Sequence, residues 1–358
     1  MIILGIESSC DETAVAIVDD KFNILAHCLV SQIKLHQSFG GVVPELAARA
    51  HLEVIDSLIT QTIAKSKISL NDIDGFAGVC GPGLIGGLMV GAVAAKTLAL
   101  VCSKPFLAIN HLQAHALTPT LFENIKYPFL LLLVSGGHSQ FVAVLGVNKY
   151  ILLGETIDDA IGEAFDKAAR LLGLPYPGGA EIQNLATQGD PLSFKFPKPL
   201  CTGTHNYQKN CNFSFAGLKT AVRQQIINLS VNNFQAKERA NTAHNLSEQM
   251  IKDICASLQH TITDIVVDRT LHAIQIFEKE HGHLEHLVVS GGVAANLYLR
   301  MNLEKFVNNK GITAVFPPLE FCTDNGVMVA WCGIKKLQAG LIDELNTPIN
   351  PRWSLEEL

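Results

Sequence analysis

At 358 residues the chain has room for two domains, or for one duplicated domain, with buried cores. Charged residues make up 17%, against about a quarter in an average soluble protein, and 48% are hydrophobic, which excludes intrinsic disorder. The formal charge of −6, from 27 basic and 33 acidic residues, gives no general electrostatic reason to expect a nucleic-acid partner.

Ile2–Ile6 and Ala14–Val18 are expected to form a β-hairpin across the polar turn Glu7-Ser8-Ser9-Cys10-Asp11-Glu12-Thr13. The first residues lack a basic region ahead of an apolar one, so no signal peptide is expected. Pro44 stands at a first-turn position of a helix whose Ala47, Ala50, Val54, Ile55, Leu58, Ile59 and Ile63 keep the 3.6-residue period. From Gly75 to Ala95 no residue is charged. Gly81-Pro82-Gly83 interrupts that stretch, which reads as a strand at Phe76–Cys80, a tight loop and a buried core helix over Leu84–Ala95, not as a membrane span. A soluble protein is expected.

Asn110 can cap a helix that carries His111 and His115 at i and i+4, on one face. A second hairpin, Phe129–Val134 with Gln140–Leu145, turns at Ser135-Gly136-Gly137-His138-Ser139. Thr156 is expected to cap a helix that runs through Leu172 and stops at Gly173 and Pro175. Residues 240–280 carry a long helical pattern, then a strand at His286–Ser290 runs into Gly291-Gly292-Val293-Ala294-Ala295-Asn296. The order suggests two α/β lobes from an old duplication with a cleft between them, although no residue-level repeat is visible. Nine cysteines without a C-x-x-C pair read as free, mostly buried thiols of a reducing cytosol.

Two of the turns carry anion chemistry. Glycine lets backbone N–H groups approach a phosphate closely, and Ser135–Ser139 and Gly291–Asn296 both fit; hairpin geometry alone is the plainer account of either turn. His111 and His115 are half of a divalent-metal site, or else ordinary partly buried polar residues. The best-placed third, oxygen ligand is Asp324, although taken by itself it reads more readily as a helix N-cap.

The stretches Gly5 to Thr13, Asn110-His111 through His115, Ser135-Gly136-Gly137-His138 and Gly291 to Asn296 together resemble the universal tRNA threonylcarbamoyladenosine-forming transferases of the bacterial TsaD type, once labelled O-sialoglycoprotein endopeptidases. The resemblance runs from Ile2 to about Ile334. It implies the actin/Hsp70/sugar-kinase-like (ASKHA) α/β fold, two duplicated lobes around a central nucleotide and metal cleft. The division expected is an N-terminal lobe at 1–110 with the first hairpin and its turn, its last helix packing back from the C-terminal end, a C-terminal lobe at 111–334 with the metal residues, both glycine turns and the segment 191–239, and a tail at 335–358.

The resemblance implies that His111, His115 and Asp324 hold one divalent metal ion, Fe2+ in the family; Zn2+ would suit the same donors. It implies that Val134, Ser135, Gly136, Gly137 and His138 contact the nucleotide intermediate, and that Asp166, Gly179 and Asn296 match nucleotide-binding positions. Glu181 stands at a more variable one. The implied reaction moves a threonylcarbamoyl group from threonylcarbamoyl-AMP to the exocyclic amine of adenosine 37 in tRNAs reading codons that begin with A, and AMP leaves. The metal and the Gly136 and Gly137 amides would stabilise charge on the intermediate, and Asp11 and Glu12 would position or deprotonate the amine, unless they form only a solvated turn. Further implications are a cytoplasmic enzyme without a membrane and two partners, an inactive paralogue as heterodimer and a small ATPase.

Three rivals share some of these features. An ASKHA-type ATPase or kinase would hold magnesium through carboxylates and water, not imidazole. A metalloprotease would need a glutamate where Leu112 stands. The non-catalytic paralogue would be expected to lack metal ligands.

The net charge also hides an asymmetry. Residues 191–239 hold Lys195, Lys198, Lys209, Lys219, Arg223, Lys237 and Arg239 against Glu238 alone, a net +6 that leaves −12 on the rest of the chain. With Phe194, Phe196, His205, Tyr207, Phe213 and Phe215 interleaved, this segment is expected to contact a single-stranded tRNA loop, Lys195 and Lys198 foremost. Pro348, Pro351 and Trp353 suggest a C-terminal segment that is either extended along the body or frayed.

Overall fold

The computed structural model describes residues 1–201, 210–231 and 246–358. In chain order its elements are β1 (Ile2–Glu7), β2 (Glu12–Asp19), β3 (Ile24–Ser31), α1 (Ile33–His36), α2 (Pro44–Ser66), β4 (Gly75–Gly81), α3 (Ile85–Cys102), β5 (Phe106–Asn110), α4 (His111–Leu117) and α5 (Pro119–Phe122). There follow β6 (Phe129–Val134), β7 (Ser139–Gly146), β8 (Lys149–Glu155), α6 (Ile161–Leu171), α7 (Gly178–Ala186), α8 (Ala216–Val231), α9 (Glu248–His281), β9 (His286–Ser290), α10 (Leu297–Asn308), β10 (Thr313–Val315) and α11 (Gly326–Gln338).

The chain divides into two compact units. The first comprises Met1–Pro128, Val144–Ile151 and Phe316–Leu358, and the second Phe129–Ala143 and Leu152–Val315. The lobe boundaries expected at 110 and 334 both fall inside the first unit, because α4 and α11 pack against each other and α11 packs on β1 and β2.

In the first unit the sheet order is β3-β2-β1-β4-β5, with β1 antiparallel to β2 and parallel to β4. Successive side chains of a strand point to opposite faces, and here both faces are covered. Ile3, Ala16, Val18, Ala77, Val79, Leu107 and Ile109 join α11 in one apolar cluster. Their neighbours Leu4, Ile6, Val15, Ile17, Phe76 and Ala108 join α2 and α3 in another. The second sheet, β10-β9-β6-β7-β8, repeats the same order: two β-neighbours follow the first strand on one side, and two strands reached by crossovers lie on the other. The duplication expected from the two hairpins is therefore visible in topology.

Expectations change for two helices. The first helix of the second unit begins at Ile161, not after Thr156, whose hydroxyl donates to the Asp159 carbonyl (2.6 Å) and caps nothing. The uncharged stretch after Gly83 forms the longer helix α3. Its mean hydropathy of 1.9 and its 18 residues satisfy the length and composition of a membrane span, yet only 33% of it is buried. The small face, Gly87, Gly91, Ala92, Ala95 and Ala99, packs inward, while Ile85, Met89, Val93, Leu100 and Val101 are exposed, so it is a one-sided helix and not the buried core helix expected. The C-terminal segment is held: Asn350 N–H donates to the Cys80 carbonyl (2.8 Å), and Asn110 Nδ2 donates to the Trp353 carbonyl (3.0 Å). All nine cysteines are free thiols.

Candidate functional site

Asn110 ends β5 and its side chain accepts N–H bonds from Leu112 (2.9 Å) and Gln113 (3.2 Å), so α4 starts with no intervening loop. Every residue of α4 is buried, which fixes His111 and His115 on one helix face. Asp324 comes from the turn before α11. That helix lies unusually close to the sheet because two glycines allow it: a Cβ on Gly5 would sit 2.3 Å from Ala330 N, and one on Gly326 would sit 2.6 Å from Ala16 N. Asn325, not Asp324, caps α11, accepting from Met328 N–H at 2.9 Å.

Asp324 Oδ1 lies 3.0 Å from His115 Nε2 and 3.5 Å from His111 Nε2. One donor atom from each of the three residues falls within 4.8 Å of the others. Behind His111, the fully buried Glu7 accepts from Nδ1 with Oε2 at 3.1 Å, and Ser9 Oγ is also 3.1 Å from Nδ1. Glu7 Oε1 takes the Ser9 N–H at 2.5 Å. With Nδ1–H donating to Glu7, a bare Nε2 lone pair would face the Asp324 oxygen, so a positive charge is required at Nε2, either a proton or a metal ion. Burial opposes charge on His111, but Asp324 and then Glu7 outweigh it and hold the imidazolium up to about 9.

The turn after β1 adds Asp11 and Glu12. Ser31 Oγ donates to Glu12 Oε1 (3.1 Å), and burial, then the charges of Asp324 and Asp11, push the Glu12 carboxyl up to about 9. Burial, followed by Asp11 and Asp324, raises the Cys10 thiol so far that it is no thiolate nucleophile. Glu7, Asp11, Glu12 and Asp324 thus gather beside two histidines. Two imidazoles and a carboxylate with spacings of 3.0 and 3.5 Å suit a divalent ion at bond lengths of about 2.0–2.2 Å. Sequence reasoning missed Glu7; its signal is a carboxylate closing a strand whose preceding residues from Ile3 onward are all buried.

In the second unit, Ser135 N–H donates to the His138 carbonyl (2.8 Å) and His138 N–H to Ser135 Oγ (3.1 Å). Between them Gly136 and Gly137 are exposed, their N–H groups meet no acceptor among the described residues, and a Cβ on either would touch nothing within 4 Å. Packing within the chain does not demand these glycines. Val134 is buried at the end of β6, and Gly291, at φ +97°, brings the second turn so close that a Cβ there would sit 2.4 Å from the Val134 carbonyl oxygen. Asp166 Oδ1 accepts from Gly178 N–H (2.8 Å), which anchors the start of α7 where Gly179 and Glu181 lie. Asn296 caps α10 through Leu299 N–H (2.9 Å) and donates to Gln259 (2.9 Å), so its amide is engaged within the fold.

The basic segment is only partly described. Lys209, Lys237, Arg239, His205 and Tyr207 lie outside the described residues. Lys195 is exposed, whereas Lys198 is paired with Asp264. Phe213 and Phe215 are fully buried and stack in a row with Phe141, and Phe196 is also buried, so these three are core and offer no base a stacking face.

Comparison with known proteins places these features. The profile of the family described as tRNA N6-adenosine threonylcarbamoyltransferase matches residues 23–331. A relative of that name from Methylobacterium sp. (strain 4-46) is 49% identical over 361 aligned residues, covering 100% of this chain and 98% of its own. One from Orientia tsutsugamushi (strain Boryong) is 46% identical, with 100% of both chains covered. Among solved structures, HypF from T. kodakarensis superposes with a TM-score of 0.60 at 14% identity, covering 95% of this chain and 48% of its own. Component A of the Acidaminococcus fermentans (R)-2-hydroxyglutaryl-CoA dehydratase gives 0.52 at 14% identity, covering 95% and 99%. The distant structures share the ASKHA-like two-lobe fold and no more, while the profile and the close relatives decide the family: this chain belongs to the tRNA N6-adenosine threonylcarbamoyltransferases.

Proposed function

We propose that the chain carries out the final transfer of tRNA threonylcarbamoyladenosine formation in the cytoplasm: the exocyclic amine of adenosine 37, in tRNAs that read codons beginning with A, attacks the carbamoyl carbon of threonylcarbamoyl-AMP. The carbon–oxygen bond to phosphate breaks and AMP leaves. The observation that carries this reading is the convergence of His111, His115 and Asp324 in a member of this family.

His111, His115 and Asp324 would hold a divalent ion, iron by the family resemblance, with zinc equally suited to the donors. When bound, such an ion supplies positive charge for anionic groups of the intermediate. The exposed Gly136 and Gly137 N–H groups donate to its phosphate. Asp11 and Glu12 position the incoming amine or take the proton that it loses; burial, Asp324 and Asp11 keep Glu12 protonated near neutral pH, so Glu12 positions the amine by donating a hydrogen bond and Asp11 accepts the proton. Lys195 contacts the tRNA backbone.

The chain works with a non-catalytic paralogue and a small ATPase. The exposed apolar residues on one side of α3, Ile85, Met89 and Val93 among them, support the paralogue as their cover, because an exposed apolar face marks an interaction surface. The test of the main reading incubates the chain, these partners, unmodified tRNA and threonylcarbamoyl-AMP, then digests the tRNA and weighs its nucleosides. Threonylcarbamoyladenosine is expected, and its absence overturns the reading. His111→Ala and Asp324→Ala should lose bound metal and product together; activity that survives metal loss would make the cluster structural.

A further inference from the structure

We propose that Glu7 is a positioning residue for the metal centre: it holds the proton of His111 on Nδ1 and so presents Nε2, in one ring orientation, toward Asp324. This rests on the reading of His111, His115 and Asp324 as metal ligands.

The geometry is specific. Glu7 is 0% exposed at the end of β1, and its two carboxylate oxygens are divided between the Ser9 N–H and His111 Nδ1. A buried carboxylate accepts and does not donate, so Nδ1 carries the hydrogen and Nε2 is the ligating atom. Ser9 Oγ, 3.1 Å from the same nitrogen, flanks the bond, and the Ser9 carbonyl accepts from Leu84 N–H (2.8 Å), so the backing group is itself tied to the loop before α3. His115 shows the contrast: its Nδ1 is buried without a partner among the described residues. Of the two imidazoles, only His111 has a carboxylate behind it. Carboxylate–imidazole pairs of this kind fix the tautomer and raise the basicity of the ligand.

The experiment uses the full chain with Zn(II) and Co(II) as probes. Glu7→Gln and Glu7→Leu should weaken affinity for both ions about 10- to 100-fold and shift the visible absorption bands of the Co(II) protein, while the far-UV spectrum stays unchanged. Gln retains an acceptor oxygen, so it should keep part of the affinity that Leu loses. Should either variant fail to fold, histidine nitrogen NMR of the wild-type Zn(II) protein decides instead, expecting a protonated Nδ1 and a metal-bound Nε2 on His111. Wild-type affinity and spectrum in both variants, or metal on Nδ1, overturns the role of Glu7. A wild-type protein that binds neither ion overturns the metal reading itself, a distinct result.

Discussion

His51 Nε2 lies 3.1 Å from the carbonyl oxygen of Cys10, the residue before Asp11. With the proton on Nε2, the other ring nitrogen must accept, and it faces Thr13 Oγ1 (2.8 Å) and Gln32 Nε2 (3.2 Å). Gln32 then accepts with Oε1 from His36 Nε2 (3.1 Å), and His36 Nδ1 accepts from Val43 N–H (3.3 Å). All donors point one way along this buried chain, from the loop before α2 to the turn that carries Asp11 and Glu12.

The His51→Phe protein should therefore lose stability and activity together. Thr13, Gln32 and Cys10 would each lose a buried partner, at about 1–3 kcal/mol per group left unpaired. A turn displaced by about 1 Å can cost about 10²-fold in rate. Thermal unfolding, bound metal and kcat check this: metal content near wild type with a large fall in kcat is expected, and unchanged kcat would show that the network only supports the fold.

Stability should depend on pH in two opposed ways in the metal-free protein. The folded-state pKa values of Glu12 and His111 are raised, from 4.5 and 6.5 to about 9 in each case, so the native state binds more protons and stability falls as pH rises toward 9. Burial lowers that of His51 below 6.5, so this group removes stability as pH falls through and below that value. Denaturant titrations across pH should show Glu12→Gln flattening the alkaline fall. An identical slope in that variant contradicts the raised Glu12 value.

What was legible in the sequence depended on distance along the chain. Asn110, His111 and His115 share one short helix, so their cap and common face follow from spacing alone. Asp324 stands 209 residues from His115, so spacing could offer it only as a candidate oxygen ligand beside the N-cap reading, and the family resemblance decided between the two. Glu7 pairs with a histidine 104 residues away and was passed over as part of a polar turn. Apolar runs located the strands, because both faces of the first sheet are covered. Composition could not say that α3 is covered on one side only, nor that Phe213 and Phe215 stack on Phe141 inside the core.

The exposed side of α3 sets the next expectation. Met89 and Val93 are each 52% exposed and one turn apart, opposite the glycines that pack inward. Met89→Glu with Val93→Glu should leave the folded chain and its metal affinity intact but abolish a stable complex with the paralogue, since two carboxylates would be desolvated at the interface. Size-exclusion chromatography of the mixed proteins reads the result. A complex that persists in the double variant puts the interface elsewhere.

Charge in the basic segment can be divided between its two leading lysines. Lys195 is exposed and has no acidic partner among the described residues, while the charge of Lys198 is already answered by Asp264. A lysine that neutralises one phosphate releases about one counterion, so its loss should lower the salt slope of tRNA binding by about 1. Lys195→Glu should therefore weaken binding and flatten the slope. Lys198→Ala should do less, because only the pair with Asp264 is lost and the net contribution of an exposed pair is small. Filter binding of unmodified tRNA over a range of salt concentrations separates the two: equal slopes for wild type and Lys195→Glu would remove Lys195 from the tRNA surface, and a larger effect at position 198 would show that Lys198 leaves Asp264 for phosphate when tRNA binds.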